Sequence, residues 1–251
     1  MRFVRQPGGY RMTKNRKLEL SPRLQLLADW VRPGAKIADV GTDHAFLPVW
    51  LTLAGKVSSA IASDLRKGPL ERGRETAGEY GVGDRVEMRL CAGLEGIAPE
   101  EADTIIIAGM GGETIVHILE AAPWTSDGTH TLLLQPMSKM ELLRSFLADS
   151  GHTIIREQLV MDRGTVYPVM EVTAGHMKLT RGQALAGVKL QHDPLQDRAL
   201  IWLIIRCQSV LAGLNRSDKP ADREKADALR DLMGELLEMR EEWRHANRSS
   251  N

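Results

Sequence analysis

The sequence predicts a doubly wound α/β domain followed by a helical hairpin, on three observations. Five short apolar runs between Lys36 and Leu134 each end at a glycine or a turn and lead into a helical stretch. That is the pattern of a parallel sheet covered on both faces. Two further strand-like runs, Ile154 to Met161 and Val166 to Thr173, are joined by Asp162-Arg-Gly164, a hairpin signal. Beyond Thr180 the apolar period changes: Leu229, Met233, Leu236 and Met239 recur at helical spacing.

The elements follow in order. Ser21 is placed to cap a helix with Pro22 at its first position, running Arg23 to Val31 and stopped by Pro33-Gly34. Lys36 to Val40 is the first strand, ending at Gly41, and a helix follows from Leu47 to Ala54. Ala60 to Ser63 is the second strand, ending at Asp64, with residues 69 to 80 helical after it. Val86 to Leu90 is the third. Thr104 to Ala108 is the fourth and ends in Gly109-Met-Gly-Gly112, with a helix from Glu113 to Leu119. His130 to Leu134 is the fifth, ending at Gln135-Pro136 ahead of a helix over 138 to 149. Pro194 to Asn215 and Ala221 to Ala246 are the two helices of an antiparallel, coiled-coil-like hairpin. The expected division is a first domain over 18–180 and an α-helical hairpin domain over 181–248.

Composition narrows the function classes. With 43% apolar and 26% charged residues in 251, the chain can bury a sizeable core. Two cysteines, Cys91 and Cys207, make neither a disulfide framework nor a structural zinc site, and no metal is expected. Thirty-three basic residues balance 33 acidic ones, so the chain is not a globally basic nucleic-acid binder. Locally, residues 1 to 23 hold seven cations against Glu19, a net of +6. Met12 is a plausible alternative start. No stretch approaches the roughly 20 apolar residues of a membrane span, Ala199 to Ile205 being the longest run, and no signal peptide is read. A cytoplasmic protein with no membrane partner is expected; the oligomeric state stays open.

The chemistry concentrates in Asp39-Val-Gly-Thr-Asp43-His44-Ala45-Phe-Leu-Pro48, directly after the first strand. In a doubly wound sheet this turn is where a nucleotide-like ligand sits. A dinucleotide site places glycines throughout G-x-G-x-x-G so that a diphosphate can approach the backbone. Here Asp43 stands at the second glycine's place, and a carboxylate there repels a diphosphate while favouring an ammonium and a sulfonium. S-adenosylmethionine carries both. The plainer alternative is that Asp39 and Asp43 only cap the turn and the helix. Asp64, 23 residues after Gly41, can accept ribose hydroxyls. Gly93 and Leu94 follow the third strand, where an adenine ring can lie. Gly109-Met-Gly-Gly112 either leaves room for substrate or serves a positive-φ turn.

A sheet closing on an antiparallel hairpin resembles the Rossmann-like seven-stranded class I methyltransferase fold. The resemblance narrows further on Leu20-Ser-Pro-Arg-Leu24, the Gly41-Thr-Asp-His-Ala-Phe-Leu-Pro48 motif, Ala108-Gly-Met-Gly-Gly112, Leu133-Leu-Gln-Pro136 and Gly175-His-Met177. Together they are similar to the bacterial tRNA (adenine(22)-N1)-methyltransferase family over residues 18 to 180. Thr42 and Phe46 stand where Ser and Tyr are expected, and Met137 where Asn is frequent. The resemblance implies an S-adenosylmethionine-dependent enzyme acting on N1 of a tRNA adenine. It places Gly41, Asp43, His44, Asp64, Gly93, Leu94 and Gly109 around the cofactor, with Asp43 as the candidate catalytic carboxylate. Arg16, Lys17, Arg23, Arg66 and Lys67 are the candidate phosphate contacts. Met110, Gly111, Gln135 and Pro136 are candidates to face the substrate, and Phe46 and Tyr167 to stack on the base. An Asn/Asp-Pro-Pro-aromatic turn of the N6-methylating kind is missing after the fourth strand. Other readings stay open: a methyltransferase for another RNA site or a small molecule, an RNA-binding protein with a dead cofactor fold, or a dehydrogenase. The histidines show no metal-ligand spacing. Trp202, the methionines and both cysteines are expected to fill core or interhelical gaps.

Overall fold

A computed structural model describes residues 17–217 and 219–248. Arg16, Met12 and most of the basic N-terminal segment lie outside the described residues. The strands are β1 (Ala35–Val40), β2 (Val57–Asp64), β3 (Val86–Leu90), β4 (Thr104–Gly111), β5 (Thr131–Ser138), β6 (His152–Asp162) and β7 (Thr165–Ala174). They form one seven-stranded sheet in the order β3-β2-β1-β4-β5-β7-β6. β1 to β5 run parallel, whereas β7 pairs antiparallel with both β5 and β6. The β6–β7 turn is Arg163-Gly164 with φ of 49° and 80°, the two positive angles that a two-residue hairpin demands.

Helices α1 (Pro22–Trp30), α2 (Phe46–Leu53) and α3 (Lys67–Glu79) cover one face. Their Leu27, Leu47, Leu51 and Ala77 pack on Ile37, Ala62 and Ile106. Helices α4 (Gly112–Glu120) and α5 (Met140–Asp149) cover the other, where Ile115, Leu119, Leu143 and Leu147 meet Ile105, Ile107, Leu132 and Leu134. Successive residues of β4 and β5 feed opposite cores, which is why these strands read as unbroken apolar runs. A third cluster joins α6 (Arg181–Ala186), α7 (Gln196–Leu214) and α8 (Pro220–Asn247) through Ala186, Leu200, Ile204, Cys207, Leu232 and Leu236.

Local expectations need several corrections. Ser21 precedes α1, but its side chain makes no capping bond; its carbonyl accepts from Gln25 N–H instead. The fourth strand runs on through Gly111, so Met110 and Gly111 pair with Pro136 and Ser138 rather than forming a free turn. Helix α6 was not foreseen; Thr180 caps it reciprocally with Gln183. Trp202 is 59% exposed and fills no interhelical gap. No described helix is long and apolar enough to cross a membrane.

Candidate active site

The strand order reverses direction between β1 and β4, and the residues singled out above gather at the carboxyl ends on either side of that point. Parallel register brings them there. Val40 lies opposite Ser63 on one side and Ile107 on the other, so the segments after Val40, Ser63 and Ile107 emerge together. The main-chain N–H groups of Gly41 and Thr42 both donate to Ser63 O, at 2.8 and 2.9 Å. Gly41 has φ +76°, and a Cβ there would sit 1.8 Å from the Met110 methyl, so the β1 turn and the β4 end touch across this glycine.

Asp43 is exposed at the mouth. Its carboxylate is held by the Arg72 guanidinium of α3, with His44 Nε2 3.5 Å away. The Arg72 hydrogen bond, more than any other influence, keeps the Asp43 carboxyl below the usual range, so it stays ionised. His44 stacks on Phe46, ring centroids 5.0 Å apart. Helix α2 starts after a left-handed Ala45, whose N–H donates to Thr42 Oγ1. Neither aspartate of the motif caps that helix.

Asp39 behaves differently. It is buried on β1, and burial pushes its carboxyl up to about 6 against the opposing pull of the Thr42 hydroxyl. Among the described residues it has no cationic partner. The unpaired negative charge of the site therefore belongs to Asp39, not to Asp43, which Arg72 already balances. The sequence signal was present: one carboxylate inside Ile37-Ala-Asp-Val40, an otherwise apolar strand. Arg72 gave no such signal.

Asp64 closes β2, 8% exposed, its Oδ1 accepting Arg66 N–H at 2.8 Å. Ser63 Oγ and Arg72 Nε are buried here without a partner. Gly93, at φ +52°, follows β3 and faces Ile118. Gly109 is exposed at φ +76°. Thus Gly41, Asp43, His44, Asp64, Gly93, Gly109, Met110 and Gly111 line one edge, with Arg66 and Lys67 exposed at the start of α3.

Burial and bonding bear on the remaining expectations. The Leu94 side chain is 3% exposed and belongs to the core beneath the site. Gln135 and Pro136 are buried on β5, paired beside Ala108 and Met110 of β4, and present no side chain to a substrate. Arg23 is no free phosphate contact: its Nε donates to Asp162 at 2.7 Å and its Nη1 to Gln135 Oε1 at 2.7 Å. The Arg23 guanidinium lies over the ring of half-buried Tyr167, 5.1 Å from its centroid, and covers one of its two faces. Lys17 is exposed ahead of α1 and makes no polar contact among the described residues.

Comparison with known proteins extends this geometry. The model of the family described as "Methyltransferase domain" matches residues 20–170. The chain is 37% identical over 236 residues to the tRNA (adenine(22)-N(1))-methyltransferase of Bacillus subtilis, spanning 89% of this chain and 98% of that relative. The crystal structure of the B. subtilis M1A22 tRNA methyltransferase TrmK superposes with a TM-score of 0.82 at 31% identity, over 89% of this chain and all (100%) of that one. Sp1610 of Streptococcus pneumoniae, solved in complex with S-adenosyl-L-methionine, gives a TM-score of 0.77 at 30% identity, covering 88% of this chain and 100% of its own. The likeness runs through the sheet and the helical hairpin alike, and on that breadth this chain belongs to the tRNA (adenine(22)-N1)-methyltransferase family.

Proposed function

We propose that the protein methylates N1 of adenine 22 in tRNA, using S-adenosylmethionine. The observation that carries the reading is the carboxyl-edge site itself: a buried, unpaired Asp39 beneath a turn that bears Asp43 where a diphosphate site needs glycine. This donor set suits a cationic ligand, and Asp39, Gly41, Asp64 and Gly93 are the residues that would hold it. When bound, S-adenosylmethionine supplies a methyl group activated by its sulfonium. The chain's own task is then chiefly positioning, which contributes up to about 7–11 kcal/mol in well-oriented systems.

Adenine N1 owns a free lone pair, so no base has to remove a proton first. Positive charge develops on the ring as the bond forms, and the N6 amino group becomes a stronger donor. We assign Asp43 to accept that N–H and so stabilise the developing charge. Arg72 keeps the carboxylate ionised and aimed for this. The target base must be exposed from its stack to reach the site. Arg66 and Lys67, exposed beside Asp43, are the proposed phosphate contacts. The proposed division of labour assigns methyl transfer to residues 18–180 and leaves 181–248 as a helical unit that helps fit the tRNA; the cytoplasm is where that substrate resides.

The test incubates the protein with methyl-labelled S-adenosylmethionine and a tRNA bearing adenine at position 22, then maps the modified nucleoside. N1-methyladenosine at position 22 is expected. N6-methyladenosine, or no label in tRNA, overturns the reading. The Asp43→Ala variant should keep its circular dichroism spectrum and lose about 100-fold or more in kcat; near-normal turnover would remove Asp43 from the role assigned here.

A further inference from the structure

We propose that Arg23 is a positioning residue for methyl transfer, acting through the Gln135 amide on the Gly109–Met110 rim of the site. The inference rests on the methyltransferase reading above and adds a residue to its machinery. Gln135 is fully buried, and its side-chain oxygen accepts two N–H groups: the main chain of Gly109 at 3.2 Å and Arg23 Nη1 at 2.7 Å. Its amide nitrogen donates to Pro136 O at 2.9 Å. The two ends of an amide are nearly the same shape, so something must select which end faces Gly109. A guanidinium has donors only. Arg23 therefore accepts one orientation of Gln135, the one with oxygen toward Gly109; the reverse would set an NH2 group against two donors.

Arg23 is itself fixed. Its Nε donates to Asp162 at the base of the β6–β7 turn, and the guanidinium lies over Tyr167. A fork held at three points transmits position better than a flexible ammonium. The rim it governs is the part of β4 that departs from regular pairing: the register shifts on both sides of Met110. Gly109 adopts a left-handed φ of +76°, and the next residue, Met110, lays its methyl over Gly41. Arg23, Gln135, Gly109, Met110 and Gly41 thus form one chain of contacts from α1 to the β1 turn that carries Asp43.

The experiment compares wild type with Arg23→Met, Arg23→Lys, Gln135→Leu and the Arg23→Met/Gln135→Leu double variant. It measures kcat and KM on the adenine-22 tRNA per folded molecule, S-adenosylhomocysteine affinity by calorimetry, and tRNA binding across a salt series. Both Arg23 variants should lose kcat by about 10- to 100-fold, the scale of a small misplacement at a reacting centre. KM and the salt slope should stay unchanged, and the double variant should lose no more than Gln135→Leu alone. If Arg23 instead binds phosphate, Arg23→Lys restores turnover and Arg23→Met lowers the salt slope by about 0.7–0.9; that result overturns the proposal. So does additive loss in the double variant, or unchanged kcat in both Arg23 variants. Should Arg23→Met fail to fold, Arg23→Lys against Gln135→Leu decides by the same criteria. Failure of the wild type to make N1-methyladenosine is a separate result, and it removes the functional reading itself.

Discussion

A carboxylate inside an apolar strand is costly, and Asp39 shows what the cost is for. Burial raises its carboxyl from 3.8 to about 6. For an acid whose folded value lies above its unfolded one, the folded state binds the extra proton between those limits. Raising the pH from about 4 to 6 therefore destabilises the ligand-free protein, by on the order of 3 kcal/mol when complete. A bound ammonium reverses the balance by pairing with the ionised form. Two outcomes are expected. Calorimetric affinity for S-adenosylmethionine should weaken as pH falls through about 6, and Asp39→Asn should flatten that dependence. The same variant should raise the melting temperature of the ligand-free protein at pH 8 while binding the cofactor more weakly. Unchanged affinity in Asp39→Asn would mean that the carboxylate faces no cation. Asp43, paired with Arg72, contributes little to this pH range because its carboxyl is held low.

At the scale of elements, the glycines of β4 and α4 show how one motif serves three purposes. Gly109 takes a left-handed φ, Gly111 is the extended residue immediately before α4, and Gly112 allows close packing. A Cβ on Gly112 would meet Lys139 O at 2.4 Å and Ser138 O at 2.9 Å, both rigid backbone. Gly112→Ala should therefore cost about 1–3 kcal/mol in urea unfolding, because the start of α4 must move off the β5–α5 connection. An unchanged midpoint would show that this connection yields. The sequence disclosed the glycine cluster and the strand that leads into it, but not this split, since packing against 138–139 is a long-range contact. Strand and helix order was legible through the sheet because each buried strand is an apolar run with a turn behind it, whereas the short α6 carries no apolar period long enough to read. Trp202 misled for the opposite reason. The run Ala199 to Ile205 looks like core on every side, yet a two-helix hairpin buries only the stripe of Leu200, Ile204 and Cys207, leaving Trp202 and Ile205 outside. Arg23 misled too: a basic residue near a basic segment reads as a phosphate contact until Asp162 and Gln135, more than 100 positions away, are seen to hold it.

The whole molecule is tied together by a polar clamp where the sequence pattern changes near residue 180. Arg144 of α5, 2% exposed, donates from Nε and Nη2 to Glu157 Oε1 at 3.0 and 2.6 Å. Its Nη1 donates to the carbonyls of Ala184 and Leu185 in α6, at 2.8 and 3.1 Å. The other Glu157 oxygen accepts Val188 N–H at 2.7 Å. Nearby, Asp193 accepts Leu159 N–H from β6 through its carboxylate and Trp243 Nε1–H from α8 through its carbonyl. One ion pair thus joins α5, β6 and the segment that leads into the helical hairpin, with four of the five guanidinium N–H groups bonded. Removing only the cation leaves Glu157 buried and unpaired, so Arg144→Met should lose about 3–5 kcal/mol of stability. Pairing it with Glu157→Leu should recover part of that loss, because an apolar pair leaves no bare charge, although Val188 N–H then lacks its acceptor. Urea unfolding is followed by far-ultraviolet dichroism and by the fluorescence of single-tryptophan versions that keep either Trp243, in the hairpin, or Trp30, against the sheet, with the other four of the five tryptophans replaced by Phe. Coincident transitions in the wild type, separating in Arg144→Met, are the expected signature of a clamp that makes sheet and hairpin unfold as one; wild-type transitions that are already separate would show that the clamp does not couple them.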